Sequence, residues 1–180
     1  MRILKGLVLM ALMTIFSGCS AGGSIDHYAD YKPEMKLEEF FNGPIKAWGI
    51  VQDRSGKITR SFSIDMVGSW ENGIGTLKED FDYYDGETQQ RVWTIKKIAD
   101  GKYQGEADDI IGTAEGRVVG NTAKWAYQMN IDVGDNTYKI SFDDWMFQMR
   151  DGVVINRAYL KKFGIKVAEL SLFMQKQDQK

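Results

Sequence analysis

The sequence predicts an all-β fold. The expected form is an antiparallel up-and-down meander of about nine to ten strands closing into a barrel, with a short N-terminal helix and a short helix before the last strand. Three observations carry this. From Ile45 onward, apolar and polar residues alternate with period two over long runs, the pattern of strands with one face inward. Turn dipeptides punctuate the runs: Ser55-Gly56, Asn72-Gly73, Asp85-Gly86, Asp100-Gly101, Gly120-Asn121 and Asp151-Gly152. The 180 residues include 19 Gly, only 2 Pro and 12% aromatics, a composition suited to twisted sheets.

Residues 1–18 read as a signal peptide. Arg2 and Lys5 form a positive start, and Gly6 through Phe16 is an apolar run too short for a stable transmembrane helix. The run ends in Phe16-Ser17-Gly18-Cys19, which resembles a bacterial lipobox, with Phe16 where Leu is usual. Cys19 is the only cysteine of the chain and falls where the motif needs it, so lipidation is expected there. Ser20 follows, which resembles the signal for transfer to the outer membrane. The expected location is the bacterial outer membrane, anchored by lipid and facing the periplasm. Residues 19–34, with Gly22-Gly23-Ser24, read as a flexible tether, and His27 within it as a solvated residue.

A single domain is expected over 35–176. Leu37, Phe40 and Phe41 at i, i+3, i+4 spacing mark the short helix, stopped by Gly43 and Pro44. Its apolar face covers one end of the sheet. Strands are expected at 45–54, 57–70, 74–84, 88–98, 102–111, 113–119, 122–132, 137–149 and 165–175. Ile58, Arg60, Phe62, Ile64 and Met66 form one alternating stripe. Leu77, Glu79, Phe81 and Tyr83 form a second, and Ala123, Trp125, Tyr127, Met129 and Ile131 a third. Between the last two strands, Asn156 is placed to cap a short helix through Phe163, closed by Gly164. Gly49, Gly68, Gly105 and Gly116 inside strands would mark bulges or bends.

Long strands in one meander remove their exposed edges by closing. A short leading helix before such a barrel resembles the calycin, or lipocalin-like, architecture. The Gly-x-Trp signature of lipocalins is missing, since Gly43 and Trp48 are five apart. The outward faces carry Lys78, Asp80, Asp82, Lys124 and Lys139, which a lipid-facing band could not hold.

The chemistry available is narrow. One Cys and one His leave no metal cluster, no disulfide and no Cys–His nucleophile, and the chain carries no phosphate-binding or nucleophile-elbow motif. No cofactor, no metal and no enzymatic activity are expected. Without Arg2 and Lys5 the mature chain has 21 basic and 25 acidic residues, net −4, which argues against nucleic acid as a partner.

Asp108-Asp109 and Asp143-Asp144 are adjacent in the chain, so at most one of each pair faces the interior. Within Phe142-Asp143-Asp144-Trp145, one reading places one Asp in solvent and the other hydrogen-bonded near the barrel rim. The other makes an inward Asp, with Asp144 and Trp145 as the candidates, the polar anchor of a ligand cavity. Arg91 and Arg157 lie in apolar surroundings. An inward Arg would hold a ligand carboxylate or pair with an inward Asp, and a surface Arg would cover a Trp face. Glu115 and Asn156 are weaker candidates of the same kind. Trp125 and Tyr127 share the inward stripe and complete the candidate ligand-binding set.

Several blocks resemble an uncharacterised bacterial lipoprotein family, domain of unknown function 3833. They are Phe41-Asn42-Gly43-Pro44, Ala47 through Asp53, Arg91-Val92-Trp93-Thr94, Ala107 through Gly116, Asp143-Asp144-Trp145-Met146 and Asn156-Arg157. The resemblance spans about 35–174 and implies location and domain extent but no activity. Two functions are therefore weighed ahead of a third, an enzyme using inward acids. One is a barrel holding a hydrophobic or amphipathic, fatty-acid-like molecule. The other is an envelope assembly protein with a filled barrel, docking a protein partner.

Overall fold

The computed structural model describes residues 23–178, so the expected signal peptide and Cys19 lie outside the described residues. Ten strands follow in chain order: β1 (Gly43–Asp53), β2 (Ile58–Glu71), β3 (Ile74–Tyr83), β4 (Thr88–Ala99), β5 (Lys102–Glu106), β6 (Ala114–Val119), β7 (Thr122–Val133), β8 (Asn136–Gln148), β9 (Val153–Lys162) and β10 (Ile165–Lys176). Each pairs with its sequence neighbours, and β1 pairs antiparallel with β10 to close an up-and-down barrel consistent with the lipocalin-like form. Strands of a meander reverse direction in turn, so the first and last meet antiparallel only when their number is even.

The strand that makes the number even is β9, where the sequence reading places a helix from Asn156 to Phe163. Val153, Val154 and Ile155 are β-branched and favour the extended chain. Asp151 and Gly152 both take positive φ, 58° and 68°, as the two-residue turns of twisted hairpins require. Asn156 caps nothing. It points into the barrel and is 1% exposed. Phe163 and Gly164, also at positive φ, turn the chain into β10 rather than ending a helix.

A second correction concerns 102–111 and 113–119. β5 stops at Glu106 and β6 begins only at Ala114, leaving a loop over 107–113. β4 from Thr88 to Trp93 therefore has no β5 residue beside it, and β7 beyond Ala126 has none from β6. The loop fills this gap. Ile110 bridges to Met129, and the Ile111 N–H donates to the Gln128 carbonyl at 2.7 Å.

The strand glycines do not mark the bulges, which fall at Val51/Gln52, Lys97/Ala99 and Lys166/Ala168. Gly68 instead permits a close approach: a Cβ there would lie 2.0 Å from the Phe41 carbonyl oxygen. That carbonyl belongs to the plug at one end of the barrel. Helix α1 (Leu37–Phe40) is a single turn, and Leu37, Phe40 and Phe41 are buried over the inward stripes of β1 and β2. Free carbonyls at a helix end need donors. The Trp70 indole N–H donates to the Phe41 oxygen at 3.0 Å, and Lys176 Nζ to the Asn42 oxygen at 2.6 Å.

Part of the segment read as a tether packs on the outer wall. A short 3₁₀ turn, Ile25–Tyr28, buries Ile25. The Tyr28 ring meets Phe147 edge-on at 5.5 Å and Trp145 at 6.1 Å.

Candidate functional site within the barrel

Alternation along β3 sends Leu77, Glu79 and Phe81 inward, and the register with β4 sets Glu79 opposite Arg91. Across the barrel, Trp125 of β7 stands opposite Asp144 of β8, and Met146 opposite Asn156 of β9. These residues enclose a cavity of about 110 Å³. Its wall is mainly apolar, from Phe62, Ile64, Leu77, Trp93, Trp125 and Leu170 among others. The polar side chains in it are Glu79, Arg91, Tyr127, Asp144 and Asn156.

Arg91 is not free to receive a ligand's carboxylate. Its Nε lies 3.0 and 2.8 Å from the Asp109 oxygens and its Nη2 2.6 Å from Oδ2, a forked, charge-assisted contact. Glu79 Oε2 lies 3.6 Å from Nη1. The guanidinium thus pairs with an Asp supplied by the loop over 107–113, a residue outside the cavity lining. Burial pulls the Arg91 pKa down, and the carboxylates of Glu79 and Asp109 more than offset it, so the charge is held.

The carboxylates fare differently. Glu79 Oε2 is sealed from solvent and accepts no hydrogen bond. Burial pushes the Glu79 pKa up to about 7 against the pull of Arg91. Asp144 is 6% exposed. It accepts from the Asn156 side-chain amide, and from the Tyr127 hydroxyl at 3.4 Å. Burial raises its pKa to about 6 despite these donors. Burial also drives the Tyr127 hydroxyl well above its ordinary value, with the Asp144 charge adding to the effect. Asn156 is fixed in turn by a 3.0 Å bond to the Trp145 carbonyl.

Of the residues expected at a ligand site, Arg91, Trp125, Tyr127 and Asp144 share the cavity. Trp145 and Arg157 do not line it. With Asp144 and Asn156 inward, the period of two sends their neighbours outward. Trp145 is buried on the outer wall under Tyr28, and its indole N–H donates to Asp143 at 3.0 Å. Asp143 also faces out, 2.6 Å from Lys161 and 3.2 Å from Lys124. Arg157 pairs with Glu169 at 2.7 Å on the surface and stacks over Tyr159. Glu79 is the site residue that sequence reasoning missed. Its signal was a carboxylate inside the otherwise apolar stripe of Leu77, Phe81 and Tyr83.

A family model described as "Protein of unknown function (DUF3833)" matches residues 13–176. The chain belongs to this family. The DUF3833 match takes in every strand of the barrel and every cavity residue named above. Four of the blocks that carry the resemblance supply Arg91, Asp109, Asp144 and Asn156. No curated protein matches the chain.

Proposed function

We propose that this protein is a lipid-anchored lipoprotein of the bacterial outer membrane whose barrel holds a small amphipathic molecule. The observation that carries this reading is the cavity: an apolar chamber within a closed barrel, ending on buried groups that have few partners of their own. Pockets for drug-sized ligands span roughly 300–1,000 Å³. At about 110 Å³ the chamber suits a short-chain or single-ring molecule rather than an extended fatty acid.

Native mass spectrometry of the protein extracted from the bacterial envelope tests the reading. A co-purifying small molecule, or saturable quenching of Trp93 and Trp125 by a short-chain amphiphile, is the expected result. A bare mass together with no saturable response to any apolar probe would overturn it. The anchor is tested separately by Cys19→Ser, which should yield unacylated protein, either soluble in the periplasm or left as an uncleaved precursor. Acylated, membrane-bound protein from that variant would refute the anchor.

One observation favours the assembly reading. Trp48, Phe173 and Ile155 stand side by side across β1, β10 and β9, each more than a third exposed. Such an apolar row on an outer wall suits contact with another envelope protein. Cross-linking from Trp48 to one defined partner, with an empty cavity, would support it.

A further inference from the structure

We infer that the polar end of the molecule taken up by the barrel is an ammonium group, seated between Glu79 and Asp144. This rests on the cavity-binding reading and names the ligand's chemistry. Two carboxylates and one cation line the chamber. The cation is already spent: Arg91 gives its Nε and Nη2 to Asp109, a residue outside the lining. Glu79 therefore shares Arg91 with Asp109 and keeps only a 3.6 Å ion pair to it, and Asp144 has no cation of its own among the described residues, so one positive charge serves three carboxylates.

Their hydrogen bonds show the same deficit. Asp144 receives only the neutral donors Asn156 and Tyr127. Glu79 Oε2 receives none, and the nearest Arg91 nitrogen is beyond hydrogen-bonding distance at 3.6 Å. A buried carboxylate without a partner costs free energy that a charged donor returns. An ammonium carries three donors and one positive charge, and so meets both needs at once. A carboxylate head would add a third negative charge with no free cation to meet it. An alcohol would satisfy one oxygen and leave the charge uncompensated. Trp93 and Trp125 on the same wall offer aromatic faces, which attract cations rather than anions.

The test compares three probes of equal length on the full chain in a mild neutral detergent, at a pH about one unit above 7, where both carboxylates are ionised. The probes are n-hexylammonium, n-hexanol and n-hexanoate, with binding read by tryptophan fluorescence and calorimetry. Hexylammonium should bind at least about tenfold more tightly than hexanol, and hexanoate should bind most weakly. In Glu79→Gln the ratio of hexylammonium to hexanol affinity should fall at least about fivefold. Asp144→Asn should lower it in the same direction. The ratio is the readout, so partial loss of fold in a variant does not imitate the result. Hexanol binding with no preference for hexylammonium, or hexanoate binding most tightly, overturns this inference and leaves the cavity reading standing. No saturable binding of any of the three overturns both.

Discussion

Replacing Glu79 with glutamine should stabilise the protein above neutral pH and leave it nearly unchanged in acid. The carboxyl titrates near 7 in the folded barrel against an ordinary 4.5, because burial disfavours its charge. A carboxyl with a raised folded pKa binds its proton more tightly in the native state than in the unfolded one. Stability is then greatest below about 4.5 and is lost as pH rises towards and through 7. A shift of about 2.5 units at 1.36 kcal/mol per unit gives about 3 kcal/mol between roughly pH 4 and pH 8.5. Glutamine keeps the shape and removes the titration. Arg91 keeps its forked contact with Asp109 in the variant, so its charge is not orphaned. Urea unfolding of wild type and Glu79→Gln should give similar midpoints near pH 4. Near pH 8.5 the variant should be favoured by about 2–3 kcal/mol. A difference between the two proteins that does not change with pH would refute the reasoning.

The two arginines selected from sequence should behave oppositely. Arg91→Gln leaves Glu79 and Asp109 without their cation and should cost about 3–5 kcal/mol in chemical denaturation. Arg157→Gln removes only an exposed partner of Glu169 and should cost less than about 1 kcal/mol. Equal losses would contradict the inward and outward assignments. Gly68→Ala drives a methyl into the Phe41 carbonyl, so the plug should shift and melting should fall by an amount equivalent to about 1–3 kcal/mol. An unchanged melting temperature would show that α1 does not seat where described.

The barrel was legible because its evidence is local. Alternation in 58–66 and 123–131 marks strands whatever lies beside them, and Asn72-Gly73 takes the left-handed turn it announces, at φ 51° and 78°. The 153–164 segment misled because Asn before a polar run and Gly after it also punctuate helices. What decided the matter was non-local: Asn156 meets Asp144, twelve residues away, and closure demands an even strand number. The site was half legible for the same reason. Period two shows that Asp143 and Asp144 part company, yet it cannot say which goes inward until Trp125 fixes the register of β8. Glu79 looked like one polar residue among many, because its isolation exists only once Arg91 has turned to Asp109.

The short β5 and β6 give the wall a seam. Elsewhere, pulling a strand away breaks ladders on both of its sides. Between Gln89–Trp93 and Tyr127–Val133, the wall is held by one forked ion pair, one bridge and a few loop hydrogen bonds. Sub-global opening concentrates where the fewest bonds must break. Amide protons facing this seam should therefore exchange with solvent sooner than those shared by β1 and β10. The barrel wall is thus weakest along one side rather than uniform. If the chamber takes up a ligand as proposed, the way in lies at this seam, and Asp109→Asn, which removes the charge on one side of the Arg91 pair, should speed uptake.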